Sequence, residues 1–304
     1  MRVLGPTENF LALEKEYSKL ETSTIAIVSA PYEETVSYGK GAGKGPSAIL
    51  EASHFVEFWD EQFGRELCFE QGIATLEALD FRQATGRAML DALESYIRAL
   101  LAQDKFVVTL GGEHTISTAP VAAHFERFPH MSILQIDAHS DLRDSYGGSS
   151  YSHASVMSRI IEFFPPHHLV QVGIRAQCRE EYELILQRGV RTFFAREIRQ
   201  GVYGRSWKER VLDALDEEVY ITFDLDALDP SIMAATGTPE PGGLYWDETL
   251  QLLELIGTHK RIVGFDVVEL APAPAHPFSS FLAAKLVYSM LNAAFLTQAP
   301  RFDR

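Results

Sequence analysis

Residues Ser132–Asp144 read SILQIDAHSDLRD. An apolar run with strand character gives way at its carboxyl end to Asp137, His139 and Asp141, spaced two residues apart. In extended chain, residues i, i+2 and i+4 project to one side, so a strand that continues briefly would aim all three side chains into one space. Two further predicted strand ends carry similar groups. LGGEHTIS (110–117) offers His114 behind a Gly-Gly pair that lets the backbone turn tightly. TFDLDALDP (222–230) offers Asp224 and Asp226.

Outward from these junctions the chain alternates apolar runs with helical patterns. Strands are predicted in STIAIVSAP (23–31), KFVVTLGGEH (105–114), MSILQIDAH (131–139), HLVQVGIR (168–175), VRTFFA (190–195), EVYITFDLDALDP (218–230) and RIVGFDVVELAP (261–272), and more weakly in LCFEQGIATL (67–76). Helical spacing runs through GPSAILEASHFVEFWDEQF (45–63), with Trp59 and Phe63 read as helix core. The strongest amphipathic pattern is TGRAMLDALESYIRALLAQ (85–103), and the last is SSFLAAKLVYSMLNAAFL (279–296). Strands apolar on both sides, alternating with helices, predict a three-layer α/β/α fold around a mainly parallel, about eight-stranded sheet. No linker or low-complexity tract divides residues 1–304, so one domain is expected.

The composition is that of an ordinary soluble protein, with 46% apolar and 23% charged residues. No run of 18 apolar residues is present, and the first residues do not resemble a secretory signal. Cys68 and Cys178 lack metal-type spacing; they read as buried free thiols and fit a cytoplasmic protein. The net charge of -15 argues against nucleic-acid or anionic-membrane partners and is compatible with a cationic ligand.

In an open parallel sheet, ligands bind beyond the carboxyl ends of the strands. Four carboxylates gathered there would repel one another and resist ionisation, a penalty that bound cations remove. Two divalent ions balance four negative charges, and an oxygen-rich set with a few imidazoles suits manganese or magnesium better than zinc. An EF-hand reading of DLDALDP fails, because Leu228 holds its fifth position and Ala235 its twelfth. The six candidate metal ligands are therefore His114, Asp137, His139, Asp141, Asp224 and Asp226. Any single Asp among them reads equally well as a turn former or helix cap; the set of six does not.

GGEHT, DAHSDLRD and FDLDALDPSIMAATGTPEPGG resemble the three metal-binding motifs of the ureohydrolases, the arginase and agmatinase family. SAPYEETVSYGKGAGKGPSAILEAS, VQVGIR and GFDVVELAP extend the resemblance over nearly the whole chain. It implies two Mn2+ per chain. His114 and Asp141 would hold one, His139 and Asp226 the other, and Asp137 and Asp224 would bridge them. It also implies attack on a guanidinium carbon by a hydroxide held between the metals, with Asp141 accepting its hydrogen bond. His153 would shuttle a proton to the leaving amine and Glu269 would hold the guanidinium. Assembly as a trimer or hexamer comes from the same resemblance.

The loop LRDSYGGSSYSHAS (142–155) lacks an Asn-rich arginase pattern and looks more like agmatinase relatives. Agmatine or aminopropylagmatine is therefore expected ahead of arginine, although Arg143 would favour an acid such as guanidinobutyrate. Ala154, Ala234-Ala235 and His276 depart from the family's usual residues in loops expected to border the substrate tail. Two rival classes are a metal-dependent amide deacetylase and a non-catalytic metal-stabilised binding protein. The first would use a His-His pair, but His167-His168 precedes a strand; His153 and Glu269 speak against the second.

Overall fold

Val, Ile and Leu fill the predicted strands without alternation, so each strand needs cover on both faces. A computed structural model describes residues 1–296, the side chain of Arg205 excepted, and shows how that cover is supplied. The strands are β1 (Ile25–Ala30), β2 (Ile73–Thr75), β3 (Phe106–Gly111), β4 (Ser132–Ile136), β5 (Leu169–Ile174), β6 (Arg191–Phe194), β7 (Glu218–Asp224) and β8 (Arg261–Val268). They form one all-parallel sheet in the order β2-β1-β3-β8-β7-β4-β5-β6. One face is covered by the helices Gly45–Ser53, Trp207–Ala214, Trp246–His259 and Pro277–Ala294, the other by Gly86–Leu101, Thr118–Arg127 and Val156–Ile160. The sheet is thus buried on both sides, and chemistry is left to its ends.

The order matters more than the count. β3, β8, β7 and β4 are adjacent although far apart in sequence, and their carboxyl ends lie side by side. His114 lies three residues beyond β3, Glu269 and Asp137 directly follow β8 and β4, and Asp224 ends β7. This is the switch in strand order at which open α/β sheets bind ligands.

Several expectations are corrected. The helix predicted over 45–63 stops at Ser53, whose hydroxyl donates to the Leu50 carbonyl and accepts the Leu11 amide. Beyond it Asp60 closes a turn with Arg65; of the two residues read as helix core, Trp59 is exposed and Phe63 packs against the core. Tertiary contacts end the helix where its periodicity would carry on. Within LCFEQGIATL, Leu67–Gln71 is helical and only Ile73–Thr75 pairs with β1. Cys68 is buried as expected, but Cys178 is half-buried at a helix start. Among the described residues no helix is long and apolar enough to cross a membrane.

Candidate metal centre

The Gly111-Gly112 pair is needed for close approach rather than for a turn. A Cβ on Gly112 would lie 1.9 Å from the Tyr32 carbonyl oxygen, which no side chain could relieve. With the two chains pressed together, the residues after β3 enter a short 3-10 turn, His114–Ser117, and His114 points across the sheet end. Its Nε2 lies 2.9 Å from Thr222 Oγ1, and that hydroxyl donates to Asp266 Oδ1 at 2.7 Å. A hydroxyl that has given its only hydrogen to a carboxylate accepts from the ring, so Nε2 carries the hydrogen and Nδ1 offers a lone pair.

That lone pair meets Asp137 Oδ2 at 3.1 Å, Asp141 Oδ2 at 3.0 Å and Asp224 Oδ2 at 3.4 Å, with no aligned hydrogen bond. Beside it, His139 Nδ1 lies 2.9 Å from Asp226 Oδ2 and 3.8 Å from Asp137 Oδ1. All six residues predicted as ligands therefore converge. Two groups have ligand atoms close enough to hold an ion: His114, Asp137 and Asp224, and Asp137, His139 and Asp226. Asp137 belongs to both, one oxygen to each.

The route to convergence differs from the expected one. β4 ends at Ile136, and His139 makes only an isolated bridge to Ala176. Asp141 turns inward because its backbone is left-handed, at φ 53°. Asp226 sits in a 3-10 turn whose amide donates to Asp224 Oδ1 at 2.8 Å. Glu269 is also left-handed, at φ 66°, and its Oε1 accepts the His114 amide at 2.7 Å. Such conformations are uncommon outside glycine and cost of order 1–3 kcal/mol each, so the surrounding packing must hold them.

The electrostatics express the same crowding. Burial, reinforced by the neighbouring Asp226, raises Asp137; burial with Asp226 and Asp137 raises Asp224 further. Burial and the Asp137 charge push Asp141 up to about 7. Glu269 is pushed up to about 8, chiefly by burial. Burial opposes charge on His139, yet the Asp226 carboxylate pushes it up to about 11. Asp226 is lowered despite its burial, because His139 lies against it. Carboxylates so placed need positive charge, and a buried imidazole lone pair aimed among their oxygens is a ligand geometry. The residues fit a pair of divalent cations.

Supporting residues carry signals that the sequence does not single out. Gln135 donates to Asp137 Oδ2 at 2.7 Å and to the His139 carbonyl at 3.1 Å, and Gln171 in turn holds Gln135 Oε1 at 2.7 Å. Glu181 accepts from Ser140 Oγ at 2.9 Å and from the Leu142 amide at 3.0 Å, clasping the chain on both sides of Asp141. The one available hint is polarity inside an apolar strand, as at Gln135, Thr222 and Asp266.

A cavity of about 280 Å³ opens over the cluster. His153, Glu269, Arg143, Tyr146 and Glu240 are among its lining residues. Arg143 stacks 5.3 Å from the Tyr146 ring centre and lies 3.7 Å from Glu181. A second chamber, lined by Tyr32, Glu34, Thr85 and Tyr151, shares Ser37 and Tyr146 with the first. Of the departures noted in the sequence, Ala154 lines the cavity; Ala234, Ala235 and His276 do not, and Thr238 and Glu240 take the place expected of them. His167 and His168 lie at the amino end of β5, the opposite end of the sheet, with His168 bonded to Asp216.

Residues 23–292 match the model of the arginase family. The chain is 38% identical to an N(1)-aminopropylagmatine ureohydrolase of Synechocystis sp., covering 95% of this chain and 94% of that protein. It is 33% identical to an agmatinase of Bacillus cereus, covering 91% and 94%. The agmatine ureohydrolase of Thermoplasma volcanium superposes with a TM-score of 0.83 at 29% identity, over 92% of this chain and 93% of that one. With the family model matched over residues 23–292, relatives of 33% and 38% identity over more than nine-tenths of the chain, and a matched fold, the chain belongs to the arginase family and is a hydrolase of carbon–nitrogen bonds in linear amidines.

Proposed function

We propose that the chain is a binuclear manganese ureohydrolase that cleaves a guanidino amine, agmatine or aminopropylagmatine, to urea and an amine. The observation that carries this reading is the pair of ligand groups joined through Asp137 at the ends of β3, β4 and β7. His114 and Asp141 would hold one cation and His139 and Asp226 the other, with Asp137 and Asp224 serving both. Once bound, the cations would supply Lewis acidity and lower the pKa of a coordinated water.

The chain's own residues do the rest. Asp141 accepts a hydrogen bond from the attacking water and orients it. Glu269 has given Oε1 to the His114 amide, which leaves Oε2 to hold the guanidinium. His153 delivers a proton to the departing amine nitrogen as its bond to the guanidinium carbon breaks.

Two observations support an amine tail over a carboxylate tail. Arg143 is occupied by Glu181 and Tyr146, and the adjoining chamber offers Glu34 and three tyrosines, a surface suited to ammonium groups. The relative from Synechocystis sp. is named for aminopropylagmatine. A cytoplasmic homo-oligomer, trimer or hexamer, belongs to this reading and rests on the family alone.

Purified protein supplied with Mn2+ would be offered aminopropylagmatine, agmatine, guanidinobutyrate and arginine, and urea measured. Urea from the two amines, well ahead of arginine, is expected. No urea from any of the four overturns the reading.

A further inference from the structure

We infer that Thr35 and Glu113 form a relay that fixes the tautomer of His153 and positions it as the proton donor to the leaving amine. The inference rests on the reading above, in which His153 serves that amine. It adds two residues, from the loop after β1 and the turn after β3.

Counting hydrogens establishes the relay. Glu113 is fully buried and its two oxygens receive four donors. Oε2 takes the amides of Glu34 and Thr35, each at 2.7 Å. Oε1 takes the hydroxyls of Thr115 at 2.6 Å and Thr35 at 2.8 Å. The carboxylate accepts throughout, so the single hydroxyl hydrogen of Thr35 lies on Oε1. Both lone pairs of Thr35 Oγ1 are then free to accept. His153 approaches them twice, with its amide at 3.1 Å and with Nδ1 at 3.0 Å. Nδ1 must therefore carry a hydrogen.

With Nδ1–H given to Thr35, Nε2 is the nitrogen left for the cavity that His153 lines. The Tyr146 ring stands edge-on to the imidazole at 5.6 Å and limits its tilt. When Nε2 gains a proton, the imidazolium charge is answered by Glu113 through Thr35. When that proton passes to the amine nitrogen, the ring returns to its Nδ1–H tautomer. Nothing on Thr35 or Glu113 changes covalently. Glu113 is buried away from the cavity and Thr35 lines only the adjoining chamber, so both act on the reacting nitrogen through His153; they are positioning residues.

The test is a double-mutant cycle read with aminopropylagmatine and agmatine in Mn2+-loaded protein. Thr35→Val keeps the side-chain shape and removes the relay. Its kcat should fall about ten- to a hundredfold with KM changed less than about twofold, a part of what positioned acid–base groups contribute. Thr35→Ser should restore kcat to within about threefold. In a His153→Gln background, Thr35→Val should cost less than about twofold more, since the relay has nothing left to position. Metal content and melting temperature identify any variant that has lost its fold or its ions, and Thr35→Ser then carries the comparison with wild type. Unchanged kcat in Thr35→Val, or a full multiplicative loss in the His153→Gln background, overturns the relay. Absence of urea from the wild-type protein would instead overturn the reading beneath it, and the relay with it.

Discussion

Two polar clusters built around buried carboxylates lie on either side of His114 and solve the same problem differently. Behind His114, Asp266 on β8 is fully buried and accepts Ser117 Oγ at 2.9 Å, Thr222 Oγ1 at 2.7 Å and Tyr220 Oη at 2.8 Å. Hydroxyl donors satisfy it. In front of His114, Asp137, Asp141, Asp224 and Asp226 face one another and an imidazole lone pair, with too few donors among them. A buried carboxylate is tolerated when hydrogen bonds or positive charge compensate it. The rear cluster is complete within the chain; the front one lacks such donors, and cations would complete it. The rear cluster also sets the front one, because Asp266 holds Thr222 and Thr222 fixes the His114 tautomer.

Substitutions should separate the two roles. The largest effect is expected in front: Asp224→Asn should lower both metal content and rate, the rate by more than about a hundredfold, beyond the usual loss from an outer partner. Metal analysis beside kcat checks it, and two ions per chain retained in that variant would sink the bridging assignment. Asp266→Asn comes next. It places a donor amide among three hydroxyl donors, so metal affinity should fall about ten- to a hundredfold and stability by about 1–3 kcal/mol. Isothermal titration and denaturant unfolding would read these; unchanged metal affinity would mean that Thr222 does not depend on Asp266. Gln135→Leu removes one donor from Asp137 and should weaken metal binding about tenfold, at the low end of outer-partner losses.

The last effect lies away from the metal centre and tests the burial of a neutral ring. His124 is buried, its Nδ1 donates to the Pro120 carbonyl at 2.7 Å, and a Cβ on Gly264 would lie 2.3 Å from its Nε2. Burial pushes its pKa down to about 4. The folded state then binds fewer protons than the unfolded one between about pH 4 and the unperturbed value near 6.5. Its contribution is fully present above pH 6.5 and is lost as pH falls through that window. By pH 4.5 the loss should reach about 2 kcal/mol, and His124→Gln should lack it when urea unfolding is compared at pH 7 and 4.5. Equal losses in the two proteins would contradict a neutral buried ring.

The same contrast explains what the sequence made legible. Strands such as Ile25–Ala30 and Ser132–Ile136 could be read because a strand buried on both faces is apolar at consecutive rather than alternate positions. The six candidate ligands could be read because four carboxylates gathered with two imidazoles at strand ends resist burial without a counter-charge. The left-handed backbones of Asp141 and Glu269 left no mark, since neither position holds the glycine that usually signals such a turn. Gln135, Thr222 and Asp266 were hidden inside strand patterns. Thr35 and His153, 118 residues apart, meet only through the strand order. The helix end at Ser53 was missed for a related reason: its partner Leu11 lies 42 residues away.

The central claim is that four buried carboxylates and two imidazoles at one sheet end hold two divalent cations. It is tested most directly by counting. Protein stripped with a chelator, reloaded with Mn2+ and desalted should carry two ions per chain by mass spectrometry of the metal, falling to one or none in Asp137→Asn, whose side chain belongs to both groups. Fewer than two ions in the wild-type protein, or two retained in Asp137→Asn, would contradict the account.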